Sequence, residues 1–350
     1  MGLKVVVFAA GLGKRLRPLT NTRPKHLLPV IGKPLLLWIL ESLILNGFRE
    51  IGILVSYMKE KVIEEISKID LGGEITWIDQ RGERGTGDAL KACREYLKNE
   101  DYFLVVYGDV LVNPSIIKDL VEFFRENVCD GVVEGVYVQD TIRFGRIEYK
   151  DMLLKKIEEK SIGGPGIVNS GLYVLPGISL DIVEEVKPSQ RGEYELTDLL
   201  NIMVKRGMKI LVHVSEKDWW MDIGTPLDYL KVNIKKFIEE YGFSILSKSD
   251  LDCRCVLKAP VMISKNVRIS GEVALGPNAF LMDDVIVEGN VVVENAVVLE
   301  RCRIRGNSIL KNVIVGEDSE ISGSIHIDGG SSVHVVAPNS MIDTESLKKF

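Results

Sequence analysis

The sequence predicts an α/β chain in two parts: a doubly wound, mixed sheet over residues 1–244, then a left-handed parallel β-helix over residues 245–350. Three observations lead there. Up to about residue 126, near-continuous apolar runs alternate with amphipathic stretches of helical period, as expected of parallel strands covered by helices on both faces. From about 131 to 175 the runs shorten and are broken by glycine and charged turns, so the sheet should become mixed. Beyond a helix at 227–239 the composition shifts to short Val/Ile runs separated by Gly, Asn and Asp, with aliphatic residues in a period of six.

Residues 3–8 read as a buried parallel strand, followed by a helix at 35–45. Strand 51–56 precedes helix 62–69, strand 75–78 precedes helix 89–97, and strand 102–107 precedes helix 116–124. In such a sheet ligands gather at the carboxyl ends of the strands. Helices return at 180–186 and 196–205. In the second part Ile263, Ile269, Leu275, Leu281, Val287, Val293 and Leu299 recur every six residues. Four positions after each of the first six stand Val267, Val273, Ala279, Val285, Val291 and Val297. Each hexad then forms one face of a triangular coil. The frame slips near Arg303 and resumes at Val315, Ile321, Ile327 and Val333, which predicts a loop at one corner. A sandwich of short strands would alternate with period two and gives no reason for seven aliphatic residues in hexad phase.

With 350 residues, 46% of them hydrophobic, a large core is available. The net charge of -6 and the lack of a sustained basic stripe argue against nucleic acid as a partner, so any phosphate site must be local. No stretch approaches the ~20 apolar residues of a membrane span, and no leader precedes the first strand; the expected location is the cytoplasm, without membrane association. Five cysteines do not form a disulfide framework. Cys93 and Cys129 read as core thiols, and Cys253 and Cys255, lacking a second pair at zinc spacing, as alternating strand residues.

The first strand runs into a loop that carries Gly11 and Gly13 and then Lys14, Arg15, Arg17, Arg23 and Lys25. Glycines let backbone N–H groups close around an anion, and the cations add charge. A Walker loop is excluded because Arg15 follows Lys14, and a dinucleotide fingerprint because Leu16 stands at the third glycine. The pattern G-x-G-x-R-x-x-P-x-T followed by P-K-x-x-x-P resembles the signature of sugar-1-phosphate nucleotidylyltransferases. That resemblance implies a Rossmann-like nucleotidyltransferase fold, nucleotide binding by Ala10, Gly11 and Gly13, and catalytic roles for Arg15 and Lys25.

Later segments extend the resemblance. V-Y-G-D at 106–109 and W-M-D-I-G-T at 220–225 match the family's two metal-ligand motifs, which implies Mg2+ on Asp109 and Asp222. Either aspartate alone would more readily be a cap or turn residue. In Q-R-G-E-R-G-T-G at 80–87 the resemblance assigns the nucleobase to Gln80, Gly85 and Thr86, with UTP the first choice and dTTP the second. Glu83 stands where uridylyl enzymes often have a second Gln, and a carboxylate cannot donate the amide's hydrogen bonds. Gly85 to Asp88 also read as a loop and N-cap. F-G-R-I, E-E-K and N-S-G-L-Y match the sugar segments in order, implying sugar contacts from Gly145, Glu159 and Asn169, with Tyr107 lining the pocket and Lys160 on the sugar's phosphate.

The implied reaction is in-line attack by a sugar-1-phosphate, glucose-1-phosphate or N-acetylglucosamine-1-phosphate, on the nucleotide's α-phosphorus with loss of pyrophosphate. No base is needed, because a phosphate monoester with second pKa ~6 is already largely a dianion at neutral pH. Two alternatives remain open: additional acetyl transfer by the β-helix, whose histidines His326 and His334 lie at its terminal end, and a non-catalytic regulatory subunit. The β-helix is expected to support a homo-oligomer.

Overall fold

The computed structural model describes residues 3–82, 84–160, 163–215, 219–249 and 255–344. By its internal contacts the chain divides into one unit of residues 1–12 and 35–222 and a second of 13–34 and 223–350. No helix among the described residues is long and apolar enough to cross a membrane.

The first unit is built on a sheet of nine strands among the described residues. Their order is Glu74–Asp79, Glu50–Val55, Lys4–Ala9, Tyr102–Tyr107, Gly166–Pro176, Gly131–Val138, Ile210–Ser215, Leu153–Glu159, Gly145–Lys150. The first four run parallel. Gly166–Pro176 then enters antiparallel to both of its neighbours, so the sheet is mixed where the runs shorten. Val5, Val6 and Val7 are fully buried at its centre, and Val6, Phe8, Leu54, Phe103 and Val105 share a core with Leu196, Leu199 and Leu200 of a covering helix. Helix bounds shift from expectation in several places: Lys59–Ser67 stands for the expected 62–69, and two further cases have a visible cause. The stretch 89–97 is two helices, Thr86–Ala92 and Arg94–Leu97, joined at the buried Cys93, and it begins early because Gly85 takes a positive φ of 101°. Pro226–Tyr241 starts one residue earlier than predicted, since Thr225 accepts from Asp228 N at 3.3 Å and Pro226 needs no N–H partner in the first turn.

The second unit contains a wholly parallel sheet that winds on itself: Arg268–Leu275 pairs with Ile286–Val298, which pairs with Arg303–Val315, which pairs with Glu320–Asp328. Residues of positive φ mark its corners. One is Gly271, Gly289, Gly306 and Gly323; a second is Asn278, Asn295 and Asn312; the third is Asn266, Asp284, Arg301, Asp318 and Asn339. Inside, Ile263, Leu275, Leu281, Val287 and Val293 form one core, as the hexads predict.

The frame slips earlier than expected. Leu275 stacks on Val293, eighteen residues on, but Leu281 stacks on Val298, seventeen on, so the lost residue falls at the Asn295 corner and not near Arg303. A one-residue slip exchanges the faces of a strand. Ala296 and Val298 therefore join the core, in place of Val297 and Leu299. Val333 gives way to Val336 for the opposite reason, because the coil widens: Val313 pairs with His334, twenty-one residues on. Met262, Phe280, Val297 and Ile314 form an outward row that is nonetheless buried, with Phe237 of helix Pro226–Tyr241 edge-on to Phe280 at 5.6 Å. Cys255 is disulfide-bonded, contrary to its reading as a plain strand residue, while Cys93, Cys129 and Cys302 are free thiols; Cys253 lies outside the described residues.

The glycine corner is sterically obligatory. At Gly289 φ is 109° and an added Cβ would stand 2.4 Å from the Gly306 carbonyl oxygen. Gly289→Ala is expected to destabilise the coil by about 1–3 kcal/mol or more from strain alone, read as a lower midpoint in urea unfolding.

Candidate active site

The two expected metal ligands stand one ladder position apart along the backbone of the first unit. Strand Tyr102–Tyr107 ends at Gly108, whose N–H donates to Phe8 O at 2.9 Å. A Cβ there would come within 2.7 Å of that oxygen, so only glycine lets the chain pass the end of Lys4–Ala9 and deliver Asp109 at the sheet's carboxyl edge. Val110–Val112 then pairs antiparallel with Trp220–Asp222, and the register sets Asp222 opposite Val110, the residue next to Asp109. Residues opposite one another in such a ladder lie ~4.5–5.5 Å apart at Cα. Trp220 anchors this strand by donating from Nε1 to Ser170 O at 2.8 Å, with Phe144 edge-on to its ring at 5.2 Å. The Asp222 side chain is 14% exposed, with Arg143 Nη2 at 3.3 Å from its Oδ2. The donor set, carboxylate oxygen alone, suits a hard cation; among the described residues no group of three or more His, Cys, Asp or Glu gathers, so water and phosphate would complete its shell.

The segments expected to hold base and sugar are linked in this unit by a chain of hydrogen bonds. Thr86 shares one with the Tyr107 phenol and accepts from Leu196 N at 2.8 Å. Tyr173 donates to Tyr107 at 3.1 Å and is itself hydrogen-bonded to Asn169. Burial holds the Tyr107 phenol above its ordinary pKa, so it stays neutral. Gln80 is buried and donates from Nε2 to Asp88 Oδ2 at 2.9 Å. The Gly85–Thr86 backbone is held by a neighbouring strap: Tyr194 N donates to Arg84 O and Gly87 N to Tyr194 O, both at 2.7 Å. Gly145 stands opposite Glu159 across an antiparallel pair. Lys160 follows, exposed and at φ 49°, a conformation few non-glycine residues adopt; its N–H donates to Phe144 O at 3.1 Å. Glu83 lies outside the described residues.

Sequence reasoning missed Arg143 and the strap. Thr197 Oγ1 donates to Glu159 Oε1 at 3.0 Å, and Arg191 stands 2.7 Å from Glu195 and 3.8 Å from Glu159. The signal was present in R-G-E-Y-E-L-T-D at 191–198, a dense charge cluster just before a helix. Glu195 is only 6% exposed, and burial pushes its carboxyl up to about 7 against the pull of Arg191.

The cationic segment belongs to the second unit. Gly13, at φ 62°, opens the turn Lys14–Leu16, in which Arg15 is exposed. The loop folds back on itself: Thr20 Oγ1 donates to Gly13 O at 2.9 Å, and a Cβ on Gly13 would lie 3.1 Å from Lys25 Cβ. Lys25 is 7% exposed and starts the turn Lys25–Leu27. The tail of the segment is held by helix Pro226–Tyr241, where Asn233 Oδ1 accepts from Ile31 N at 2.8 Å and Tyr229 donates to Pro29 O at 2.5 Å. Ala10 and Gly11, by contrast, close the first strand's loop in the other unit, so the predicted site residues are divided between the two.

Comparison with known proteins gives a consistent picture. The nucleotidyl transferase family model matches residues 4–238, and the model of the GMPPB C-terminal domain matches residues 257–346. The bifunctional protein GlmU of Methanococcus maripaludis is 31% identical over 95% of this chain and 75% of its own length. A bifunctional sugar-1-phosphate nucleotidylyltransferase/acetyltransferase of Sulfurisphaera tokodaii is 28% identical over 95% of this chain and 82% of its own. Among solved structures, a Bacillus anthracis chain described as a glucose-1-phosphate thymidylyltransferase superposes with a TM-score of 0.60 at 29% identity, over 66% of this chain and 94% of that one.

The Glu195 carboxyl generates a test of its own. Its pKa is about 7 in the fold against an ordinary 4.5, so between these values the folded state keeps a proton that the unfolded state has lost. Its contribution is fully present below the lower value and is lost as pH rises through the upper one. Urea unfolding across this window should show wild-type stability falling more steeply with pH than that of Glu195→Gln, with parallel curves above it.

Proposed function

The chain belongs to the nucleotidyl transferase family and is a sugar-1-phosphate nucleotidylyltransferase, and from that premise we propose that it joins UTP or dTTP to glucose-1-phosphate or N-acetylglucosamine-1-phosphate, releasing pyrophosphate. What supports this reading is the Val110–Val112 ladder, in which Asp222 pairs with Val110, the residue next to Asp109. Asp109 and Asp222 would hold Mg2+, which would supply positive charge to the nucleotide's phosphates. In this reading Arg15 binds the β- and γ-phosphates, and Lys25 lies between the α-phosphate and the acceptor. Lys160 holds the acceptor phosphate from a position of positive φ just after the strand that ends at Glu159. Gln80 and the Gly85–Thr86 backbone read the base, while Glu159, Asn169, Gly145 and Tyr107 contact the sugar.

The protein has little covalent work to do. The acceptor arrives as a dianion, so the residues must offset repulsion between two anions and align the attack. Residues 1–244 act as the catalytic domain and 245–350 as a left-handed β-helix that supports a homo-oligomer. A cytoplasmic setting fits substrates of this kind. A second reading adds acetyl transfer by the β-helix and draws on the bifunctional relatives, of whose length this chain spans about three quarters. Acetyl-CoA turnover with an amino sugar phosphate would establish it.

The direct test is pyrophosphate release with Mg2+, crossing UTP, dTTP, GTP, CTP and ATP with glucose-, N-acetylglucosamine-, galactose- and mannose-1-phosphates. Turnover is expected with a uridine or thymidine nucleotide. Lys25→Ala and Asp109→Asn should each lose roughly 2.7–4 kcal/mol of transition-state stabilisation, about 100- to 1,000-fold in kcat, by analogy with removal of an oxyanion donor. Near-full activity in Lys25→Ala would contradict its assignment, and silence of the folded wild type across the grid would contradict the function.

A further inference from the structure

Within the second unit, the coil grips the cationic segment two residues before Lys25. Arg23 donates bidentately to Glu300, Nη1 to Oε1 at 3.1 Å and Nη2 to Oε2 at 2.9 Å. Its Nε lies 3.6 Å from Glu317 Oε1, and Thr22 Oγ1 donates to that same oxygen at 2.6 Å. The two carboxylates stack one coil apart, each two residues beyond the paired Val298 and Val315. The adjoining corner is fixed by Arg301, which donates to Asp318 from Nε and Nη2 at 2.6 and 2.7 Å. All three clamp side chains are largely withdrawn from water, at 17% exposure for Arg23, 21% for Glu300 and 6% for Glu317.

We propose that Glu300 and Glu317 are positioning residues for the transfer reaction: through Arg23 and Thr22 they fix the segment that presents Lys25. The link is short and stiff. Pro24, buried and extended, joins Arg23 to the turn Lys25–Leu27, whose Leu28 N–H closes onto Lys25 O at 3.1 Å. Displacing Arg23 therefore displaces Lys25. An arrangement serving stability alone would be poorly chosen. A buried ion pair roughly cancels its own desolvation cost, and here the buried Glu317 Oε2 has no hydrogen-bond partner at all. What the clamp does supply is a defined bidentate geometry at one point of a loop. It also gives the coil a part in catalysis without any reacting group of its own.

This inference rests on the functional reading above, and the experiment separates the two. Glu300→Gln, Glu317→Gln and, as a milder perturbation from the loop side, Arg23→Lys are compared with wild type. Two readouts are taken: hydrogen exchange of peptides covering 20–28 against 4–9 and 102–107, and steady-state pyrophosphate release. Faster exchange is expected at 20–28 with the sheet peptides unchanged. With it, kcat should fall by about tenfold or more, since small misplacements of a charge near the reacting centre can cost up to ~100-fold, while KM for the sugar phosphate stays within about twofold. Loosened exchange with wild-type kcat, or a loss of kcat with unchanged exchange at 20–28, would overturn the positioning role and leave the function standing. A wild type silent on every substrate pair would overturn the functional reading and this inference with it.

Discussion

The proposed cation site depends on one short antiparallel ladder, Val110–Val112 with Trp220–Asp222. Like charges repel, so two aspartates one ladder position apart are costly to bring together unless something holds their backbones. Backbone pairing does so without using either side chain. The first partner leaves the central strand through Gly108, and the second is held by the Trp220 indole on the Ser170 carbonyl. Arg143 supplies a counter-charge to Asp222. Whatever the substrate, a cation site at this edge requires both strands to keep their register.

The chain is acidic overall, at -6, yet its substrates are polyanions. Cations must therefore be concentrated locally, and their position becomes the limiting quantity. The segment that carries Arg15 and Lys25 is not a free loop. Helix Pro226–Tyr241 holds its end through Asn233 and Tyr229, and the coil holds its middle through Glu300 and Glu317. In the first unit, the hydrogen bonds from Thr86 through Tyr107 and Tyr173 to Asn169 join the segments proposed to hold base and sugar into one network. Such networks fix side chains that would otherwise sample several rotamers.

Much of this was legible in the sequence because the signals are periodic or sterically forced. Buried parallel strands declare themselves as apolar runs, and the coil declares itself in the hexads from Ile263 to Val293. The slip was misplaced because Val297, Val298 and Leu299 are all aliphatic, so composition cannot say which faces inward; only the Asn295 corner decides. The two aspartates stand out by motif, but the register that pairs Asp222 with Val110 does not, since it depends on a pairing between distant segments. Arg23 is one more cation in a basic loop, and no sequence pattern singles out Glu300 or Glu317. Their partnership exists only after folding. The strap around Arg191 and Glu195 was hidden similarly, because a charge cluster before a helix looks like an exposed N-terminus.

The central claim is that Asp109 and Asp222 hold a single cation together, and its most direct measurement is Mn2+ binding in the presence of nucleoside triphosphate, followed by electron paramagnetic resonance. The account predicts one nucleotide-dependent ion per chain, lost on either Asp109→Asn or Asp222→Asn, with the double substitution no worse than the single ones. Binding that survives Asp222→Asn, or losses that add independently, would contradict it.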